Sequence, residues 1–275
     1  PVWRKKHLKL IRGKQGHLYL DTESLINLGL KMLNEKIPIP GMRLSKKEVE
    51  EVLQGMILSG TVVLCHDNIY LPRIFDLEDS TARLIAKRLV FASEVEHIAP
   101  LMEQIKKEMG ISLSAKQDKA VRMAFRHNLT IITGSPGTGK TTVLKTILEV
   151  YRRQHTDGKI MLMAPTGRAS RRMAESTGFE EAKTLHSGLG LGSEEDENGR
   201  KKEDSLLTAD LIIVDEFSMV DMWLAKQLFQ RLKDDCRIVL VGDAYQLPSV
   251  GAGNVFHELI ECGLIPVTML DEIFR

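Results

Sequence analysis

Cysteine is scarce in this chain, and a long apolar run is absent. The three cysteines, Cys65, Cys236 and Cys262, lie far apart without a CxxC pair, which disfavours a zinc site and a disulfide framework. We expect them to be small buried residues of a reducing compartment. No apolar run reaches the roughly 18 residues that span a bilayer, and the stretch PVWRKKHLKL lacks the apolar centre of a signal peptide. The sequence therefore predicts a cytoplasmic protein without a membrane partner.

An excess of charge of either sign is also missing. The 38 Lys and Arg residues and the 37 Asp and Glu residues leave a formal net charge of +1. A nucleic-acid partner would have to be held by local basic patches, because there is no overall cationic field. The net charge therefore neither supports nor excludes DNA.

The length and composition favour two globular domains. With 275 residues, of which 43% are hydrophobic and 27% charged, the chain can bury two cores and lacks the bias of a disordered protein. It begins without Met and ends on LDEIFR just after an apolar segment. We therefore expect a piece of a longer protein.

Residues 1–110 alternate short elements and form the first predicted domain. GHLYL predicts a strand, and TESLINLGLKMLNEK predicts a helix capped by Asp21 or Thr22. SKKEVEEVLQGMILSG predicts a second helix, with Ser45 as N-cap and Glu48 completing a capping box. TVVLCHDNIYLP predicts a hairpin joined through residues 66–68. This order outlines a smaller, mainly helical winged-helix-like domain, which would either bind duplex DNA or serve as a packing or protein-contact unit.

A helical connector leads out of the first domain. DLEDSTARLIAKRLVFASEVEHIAPLMEQIKKEMG has helical spacing of its apolar residues and is expected to form two helices divided at Pro100. The second predicted domain then comprises residues 111–275.

Strands and helices alternate in the second domain. The segments LTIITG, KIMLMAP, ADLIIVDE, CRIVLVGD and IPVTML are apolar throughout, and helical patterns separate them. Such strands are typical of a parallel sheet that is covered by helices on both faces. The sequence predicts a three-layer α/β fold.

The segment GSPGTGKTT predicts a phosphate-binding loop. It fits the pattern G-x-x-x-x-G-K-[ST], follows an apolar strand and precedes a helical pattern. Glycines let backbone N–H groups turn toward phosphates, and the helix N-terminus adds its positive dipole end. We expect Lys140 at the β and γ phosphates and the Thr141 hydroxyl as a Mg²⁺ ligand. The predicted loop consists of Gly134, Ser135, Pro136, Gly137, Thr138, Gly139, Lys140, Thr141 and Thr142.

Two further strand ends carry candidate catalytic groups. LIIVDE ends a core strand with Asp215 and Glu216, at the edge where open α/β sheets bind ligands. We expect Asp215 to be a Mg²⁺ ligand and Glu216 to be the base that orients and deprotonates water. After the strand in LVGDAYQLPSV, Gln246 would reach the γ phosphate. The alternative for this stretch is a surface turn built around Pro248 and Gly251.

Seven short segments resemble, in order, the RecD-like helicases of superfamily 1, which move 5′ to 3′ along single-stranded DNA. The segments are SAKQDKAV, GSPGTGKTT, APTGRAS, TLHSGLG, IVDEFSMVD, LVGDAYQLPSVGAGNVF and LDEIFR. They lie in residues 114–275, so the resemblance covers the second domain firmly and the first only loosely. It implies a RecA-like P-loop NTPase fold and the cofactors ATP and Mg²⁺.

The resemblance also implies roles for single residues. Gln117 would read the adenine, Gln246 would sense the γ phosphate, and Arg275 would neutralise charge in the transition state. Asp215 and Glu216 match the metal and water residues. The segments that touch the nucleic-acid strand in the family match Thr166, Gly167, Arg168, Thr184 and His186.

Elementary electrostatics supports the strand contacts. A backbone phosphate could sit at the helix N-terminus near Thr166 and Gly167, with Arg168 adding positive charge. For Arg171 and Arg172 a solvated helix face is the simpler interpretation. His186 taken alone would be a hydrogen-bonded loop histidine, but TLHSGL as a unit favours strand contact.

The polar insertion GSEEDENGRKKED, residues 192–204, has a hairpin turn signal in its Asn-Gly pair. The resemblance suggests a pin that splits the duplex, whereas its charged composition favours a surface loop.

The family also has a second RecA-like domain after the arginine segment, with another arginine and further strand-binding motifs. An arginine finger is worth roughly 10³ to 10⁵ in rate. We therefore expect residues 1–275 to bind nucleotide, to hydrolyse it slowly and not to unwind DNA alone.

Three functions remain in view at this point. The first is an ATP-dependent DNA helicase that acts on single-stranded DNA and its junction with duplex, with nuclease or repair proteins as further partners. The second is a nucleotide-switched DNA-binding or scaffold module in which the N-terminal domain carries the function. The third is an ATPase acting on RNA or of the ring-forming type, which fits the phosphate loop but not GDAYQLPSV or APTGRAS.

Overall fold

The computed structural model describes a large part of the chain and divides it into two compact units. The described residues are 18–35, 37, 39–90, 98–179, 181–191, 206–246, 249 and 251–274. Contacts group Pro1–Ser80 with Gly251–Gly253, and Thr81–Val250 with Asn254–Arg275. The domain boundary at residue 110 stays a prediction, whereas the contacts divide the chain thirty residues earlier.

The first unit combines two helices with a small sheet. Strand β1 (Tyr19–Asp21) leads into helix α1 (Thr22–Asn34), followed by helix α2 (Lys46–Leu58) and the strands β2 (Val63–Cys65) and β3 (Asn68–Tyr70). The three strands form an antiparallel sheet in the order β1-β3-β2. The core is a small cluster of the buried side chains Ile26, Leu53, Val62 and Ile69.

Local sequence signals are confirmed in this unit. Asp21 caps α1, because its Oδ1 accepts a 2.8 Å hydrogen bond from Ser24 N. Ser45 and Glu48 form the predicted capping box at the start of α2. The hairpin is also present, with the turn at His66 and Asp67 and with Asn68 already in β3. His66 takes a positive φ of 54° in this turn, where His is among the residues that tolerate the left-handed region.

The predicted connector forms two helices that do not meet at Pro100. Helix α3 spans Pro72–Val90 and helix α4 spans Ala99–Met109. Pro100 lies in the first turn of α4, where a missing N–H removes no helical hydrogen bond. In the second unit, α4 packs Met102 and Ile105 into the main core with no exposed surface.

The second unit contains the parallel sheet. Its strands are β4 (Leu129–Gly134), β5 (Ile160–Ala164), β6 (Ala182–Thr184), β7 (Leu211–Val214), β8 (Arg237–Gly242) and β9 (Val267–Leu270). They pair in the order β6-β5-β7-β8-β4-β9, and every pairing is parallel.

Helices connect these strands and cover them. They are α5 (Ala115–Arg126), α6 (Lys140–Gln154), α7 (Gly167–Thr177), α8 (Leu185–Gly188), α9 (Met222–Gln230) and α10 (Val255–Glu261). Every residue of β4, β7 and β8 is buried. Because neighbouring residues of a strand point to opposite faces, both faces of the sheet are covered. The predicted three-layer RecA-like α/β fold is confirmed.

The prediction that the cysteines are buried is wrong for two of the three. Cys236 is buried just before β8, and burial raises the pKa of its thiol to about 12. Cys65 is only partly covered, because it lies on the edge strand β2. Cys262 is exposed just past the end of α10.

Within the described residues, no helix combines the length and the apolar character that crossing a membrane would need.

Candidate functional site

The phosphate loop begins at Gly134, the last residue of β4, where the structure leaves no space for a side chain. A Cβ on Gly134 would lie 2.6 Å from the carbonyl oxygen of Leu270 and 2.7 Å from Thr138 Oγ1. Gly139, just before α6, has a positive φ of 79°. A Cβ there would lie 2.3 Å from Gln117 Nε2. Glycine is therefore favoured by close packing against the backbone at Gly134 and by the left-handed backbone at Gly139.

Lys140 is held within this loop. Its Nζ donates to the carbonyl oxygen of Gly134 and, at 3.2 Å, to that of Ser135. Thr138 Oγ1 donates to the same Ser135 oxygen at 2.8 Å. The loop thus holds the ammonium group of Lys140 at the start of α6, where the helix N-terminus favours binding of anions.

Gln117 supports the loop from outside. Its side chain is 3% exposed, and its Nε2 donates to the carbonyl oxygen of Thr138 at 3.1 Å. Its Oε1 accepts from Ser114 N at 3.0 Å, which completes a capping box at the start of α5. The residue predicted to read adenine therefore also fixes the backbone of the phosphate loop. The adenine contact itself stays a prediction.

The segment after β9 lies along the loop. Phe274 N donates to the carbonyl oxygen of Gly137 at 2.9 Å. Asp271 forms an ion pair with Lys116, the residue before Gln117. The chain is thus tied to the loop up to Phe274, whereas Arg275, the predicted transition-state arginine, lies outside the described residues.

Asp215 and Glu216 follow β7 at the same edge of the sheet. Asp215 N donates to the carbonyl oxygen of Met163 at 2.9 Å, and Asp215 Oδ1 accepts from Glu216 N at 2.9 Å. Glu216 has a positive φ of 52°, which is strained for a residue with a Cβ. This strained backbone points to a functional constraint on the Glu216 carboxylate.

Burial raises the pKa of both carboxyl groups. For Glu216, the charge of Asp215 raises the pKa further, and Asp243 adds to this effect. Lys140 and Arg172 act in the opposite direction on both residues. A raised pKa in a carboxylate beside a phosphate loop is typical of a group that handles protons.

Arg172 is exposed on α7, in agreement with the solvated helix face predicted for it, but its charge has a further effect. The structure places its charge where it lowers the pKa of both Asp215 and Glu216. Nothing in the local sequence distinguishes it from Arg171, because the difference depends on where the fold places Asp215 and Glu216 relative to α7.

The segment after β8 is anchored to β4. Asp243 is 4% exposed, and its Oδ1 accepts from Tyr245 N at 3.0 Å. Ala244 N donates to Thr133 Oγ1 at 3.1 Å, and Gln246 N donates to the carbonyl oxygen of Asp243 at 3.2 Å. Gln246 itself is exposed at this edge. Its role as a γ-phosphate sensor stays a prediction, and Pro248 lies outside the described residues.

The predicted strand-contact residues gather at the ends of β5 and β6. Ala164 pairs with Thr184, so the two strand ends are adjacent. A Cβ on Gly167 would lie 4.0 Å from Thr184 Cγ2. Thr166 caps α7 by accepting from Ala169 N at 3.2 Å, and Thr184 caps α8 by accepting from Ser187 N at 3.1 Å. Arg168 and His186 are exposed beside these caps.

The carboxyl edge of the sheet therefore has two neighbouring parts. We call the ends of β4, β8 and β7 the nucleotide part, and the ends of β6 and β5 the strand part. β7 lies between β5 and β8, so Asp215 and Glu216 stand at the boundary. The insertion at residues 192–204 lies outside the described residues.

The oxygen donors at the nucleotide part suit Mg²⁺. Among the described residues, no group of three or more His, Cys, Asp or Glu side chains could hold a metal ion. Thr141 and Asp215 offer a hydroxyl and a carboxylate, and Mg²⁺ is commonly held by one or two carboxylates together with substrate phosphates and water. The donor set therefore fits a metal that arrives with a nucleotide.

We predict that Asp215→Asn stabilises the ligand-free chain at neutral pH. Folding raises the pKa of the Asp215 carboxyl group through burial, so its ionisation destabilises the fold, and this penalty grows as the pH rises through the folded pKa. Asparagine keeps the acceptor for Glu216 N but carries no charge. The unfolding temperature should rise by about 2–4 °C for each kcal/mol relieved, as measured by scanning calorimetry.

Asp210→Asn is the matched control. Lys233 donates to Asp210 Oδ1 at 2.6 Å and lowers the pKa of this carboxyl group, as does the hydrogen bond from Lys159 N. Its substitution should lower the unfolding temperature. If both variants lower it alike, the penalty assigned to Asp215 is wrong.

Comparisons with known proteins find relatives among DNA helicases. Residues 117–252 match a protein-family model described as an AAA domain. The RecBCD enzyme subunit RecD of Mycolicibacterium smegmatis is 35% identical over 166 residues, which cover 53% of this chain and 30% of that protein. The ATP-dependent RecD2 DNA helicase of Deinococcus radiodurans is 32% identical over 207 residues, which cover 75% of this chain and 28% of that protein.

A crystal structure of the Pif1 helicase from Candida albicans matches with a TM-score of 0.44 and 30% identity, covering 60% of this chain and 41% of that one. The matched segment is less than a third of the length of the two RecD relatives. On the strength of the RecD matches, the chain is a homologue of the RecD-like helicases.

Proposed function

We propose that this chain is the nucleotide-binding half of an ATP-dependent DNA helicase that moves 5′ to 3′ on single-stranded DNA. The observation that carries the proposal is the shared edge of the sheet. The phosphate loop, the carboxylate pair and the strand-contact segments all follow strands that end there. Cytoplasmic location is part of the same proposal.

The proposed reaction is in-line attack of water on the γ phosphate of ATP. Glu216 orients the water and accepts its proton, for which a raised pKa is suited. Lys140 moves from the loop carbonyls to the β and γ phosphates. Thr141 and Asp215 would hold Mg²⁺, which would neutralise charge that develops on the phosphates. Gln246 senses the γ phosphate, and Arg275 neutralises transition-state charge.

Helix α7 offers a physical connection between hydrolysis and strand binding. It begins in the strand part with Thr166 as its cap, and it carries Arg172, whose charge acts on Asp215 and Glu216. A displacement of α7 by a bound strand would therefore change the electrostatics of the proposed base. We propose this helix as one route by which DNA stimulates hydrolysis.

Taken alone, the 275-residue polypeptide should bind ATP, hydrolyse it slowly and not unwind DNA. One RecA-like sheet forms one wall of the cleft that closes around nucleotide in helicases of this type. The proposed partners are single-stranded DNA, its junction with duplex, and nuclease or repair proteins. One relative is named as a subunit of the RecBCD enzyme and another as the RecD2 DNA helicase. This chain could therefore act either within a complex or as a separate helicase.

Lys140→Ala tests the nucleotide site. It removes the one ammonium group held by the loop carbonyls, and a lost charge-assisted hydrogen bond should weaken ATP binding by about 10- to 100-fold. Isothermal titration with MgATP measures the affinity. Lys145→Ala removes the same charge further along α6 and should bind as the unchanged chain does. Unchanged affinity of Lys140→Ala for MgATP would contradict the assignment of the nucleotide site.

Arg172→Ala tests the electrostatic effect of this arginine on the proposed base. Because Arg172 lowers the pKa of Glu216, its removal should raise that pKa. The base must be ionised to accept a proton, so the acid limb of the hydrolysis rate should move to higher pH. Single-turnover hydrolysis across the acidic range measures the shift.

Arg171→Ala is the control for this experiment, since it removes the same charge one position away on α7. It should leave the acid limb in place. Coinciding pH profiles for the two variants would contradict the electrostatic effect of Arg172 on the carboxylate pair.

A further inference from the structure

Trp223 is an exposed tryptophan at the boundary of the strand part. It lies in the first turn of α9, and 46% of its surface is exposed. Its neighbours Met222, Leu224 and Ala225 are buried and pack the helix onto the domain. The packing of α9 therefore does not account for the indole, which stands on the outer side of the helix.

The indole is paired with His186. The ring centroids of Trp223 and His186 lie 6.4 Å apart with a tilt of 35°, within the range of aromatic pairs. His186 follows β6 and Trp223 follows β7, and β5 lies between these two strands. The pair therefore joins the segments that follow β6 and β7, the two strands that flank β5.

Cationic side chains lie on the same part of the edge. Arg168 and Arg171 are exposed on α7, and no ion pair joins either of them to another described residue. Exposed guanidinium groups at the same sheet edge as an accessible aromatic pair suit a polyanion with flat bases. They suit an apolar peptide or an acyl chain less well, since neither would neutralise the arginines.

We propose that Trp223, together with His186, is a stacking site for one base of single-stranded DNA. This proposal rests on the proposed function. It adds a contact between the strand part and a base of the strand, beside the contacts expected with backbone phosphates. Stacking on an aromatic ring accepts any base, because every base has a π face. Trp223 would thus add affinity without sequence preference.

The test measures binding of a fluorescein-labelled oligo-dT to the full 275-residue chain by anisotropy. Trp223→Ala should weaken binding by about 5- to 150-fold, the range for loss of one base–aromatic stack. Trp223→Phe should retain most of the affinity, because a smaller ring still stacks. Leu264→Ala removes an apolar side chain that is 73% exposed just before β9 and should bind as the unchanged chain does.

A second measurement does not depend on how Trp223→Ala folds. The chain has two tryptophans, Trp3 and Trp223, so a Trp3→Phe background isolates the emission of Trp223. Oligo-dT should quench this emission. An abasic site at the stacked position should reduce this quenching. It should also weaken binding to the Trp3→Phe chain, and this loss of affinity should be smaller in a chain that carries Trp223→Ala as well.

The outcomes separate this inference from the proposed function. If oligo-dT binds but Trp223→Ala binds equally well and Trp223 emission is not quenched, the stacking site is wrong and the helicase proposal stands. If the unchanged chain does not bind single-stranded DNA at all, both are contradicted.

Discussion

Parallel pairing of six strands is the constraint on which the rest of the structure depends. It brings Gly134, Ala164, Thr184, Val214 and Gly242, which end five different strands, to one edge. Each following turn must then leave the sheet within the same narrow region. The tight space around Gly134 and Gly139 and the left-handed backbone of Glu216 are local consequences of that crowding.

The same crowding places two carboxyl groups where their ionisation lowers the free energy of unfolding. Asp215 and Glu216 bring two carboxyl groups together, and burial raises the pKa of each. Lys140 and Arg172 offset this cost only in part. Elsewhere in the second unit, Asp210 pairs with Lys233 and has a lowered pKa, so this carboxyl group lacks the penalty. Such a local conflict between folding and charge is typical of functional positions.

Local patterns predicted much of this from sequence. The caps at Asp21 and Ser45, the hairpin after α2 and the alternation of strands with helices depend on neighbouring residues, and all are confirmed. The support of the phosphate loop by Gln117, the charge of Arg172 beside Asp215 and the pairing of Trp223 with His186 depend on the strand order. That order is set by packing over long sequence distances, so no short segment encodes it. The buried state of Cys65 and Cys262 was predicted wrongly, because residue type alone does not identify an edge strand or a helix end.

We propose that one sheet edge holds a nucleotide and a DNA strand side by side, with Asp215 and Glu216 between them. A crystal structure of the chain with Mg²⁺, a non-hydrolysable ATP analogue and oligo-dT would show both ligands at once. We expect the β and γ phosphates at Lys140 and the strand across the ends of β5 and β6, at Thr166 and Thr184. A nucleotide bound away from residues 134–142, or a strand bound away from both of those strand ends, would contradict it.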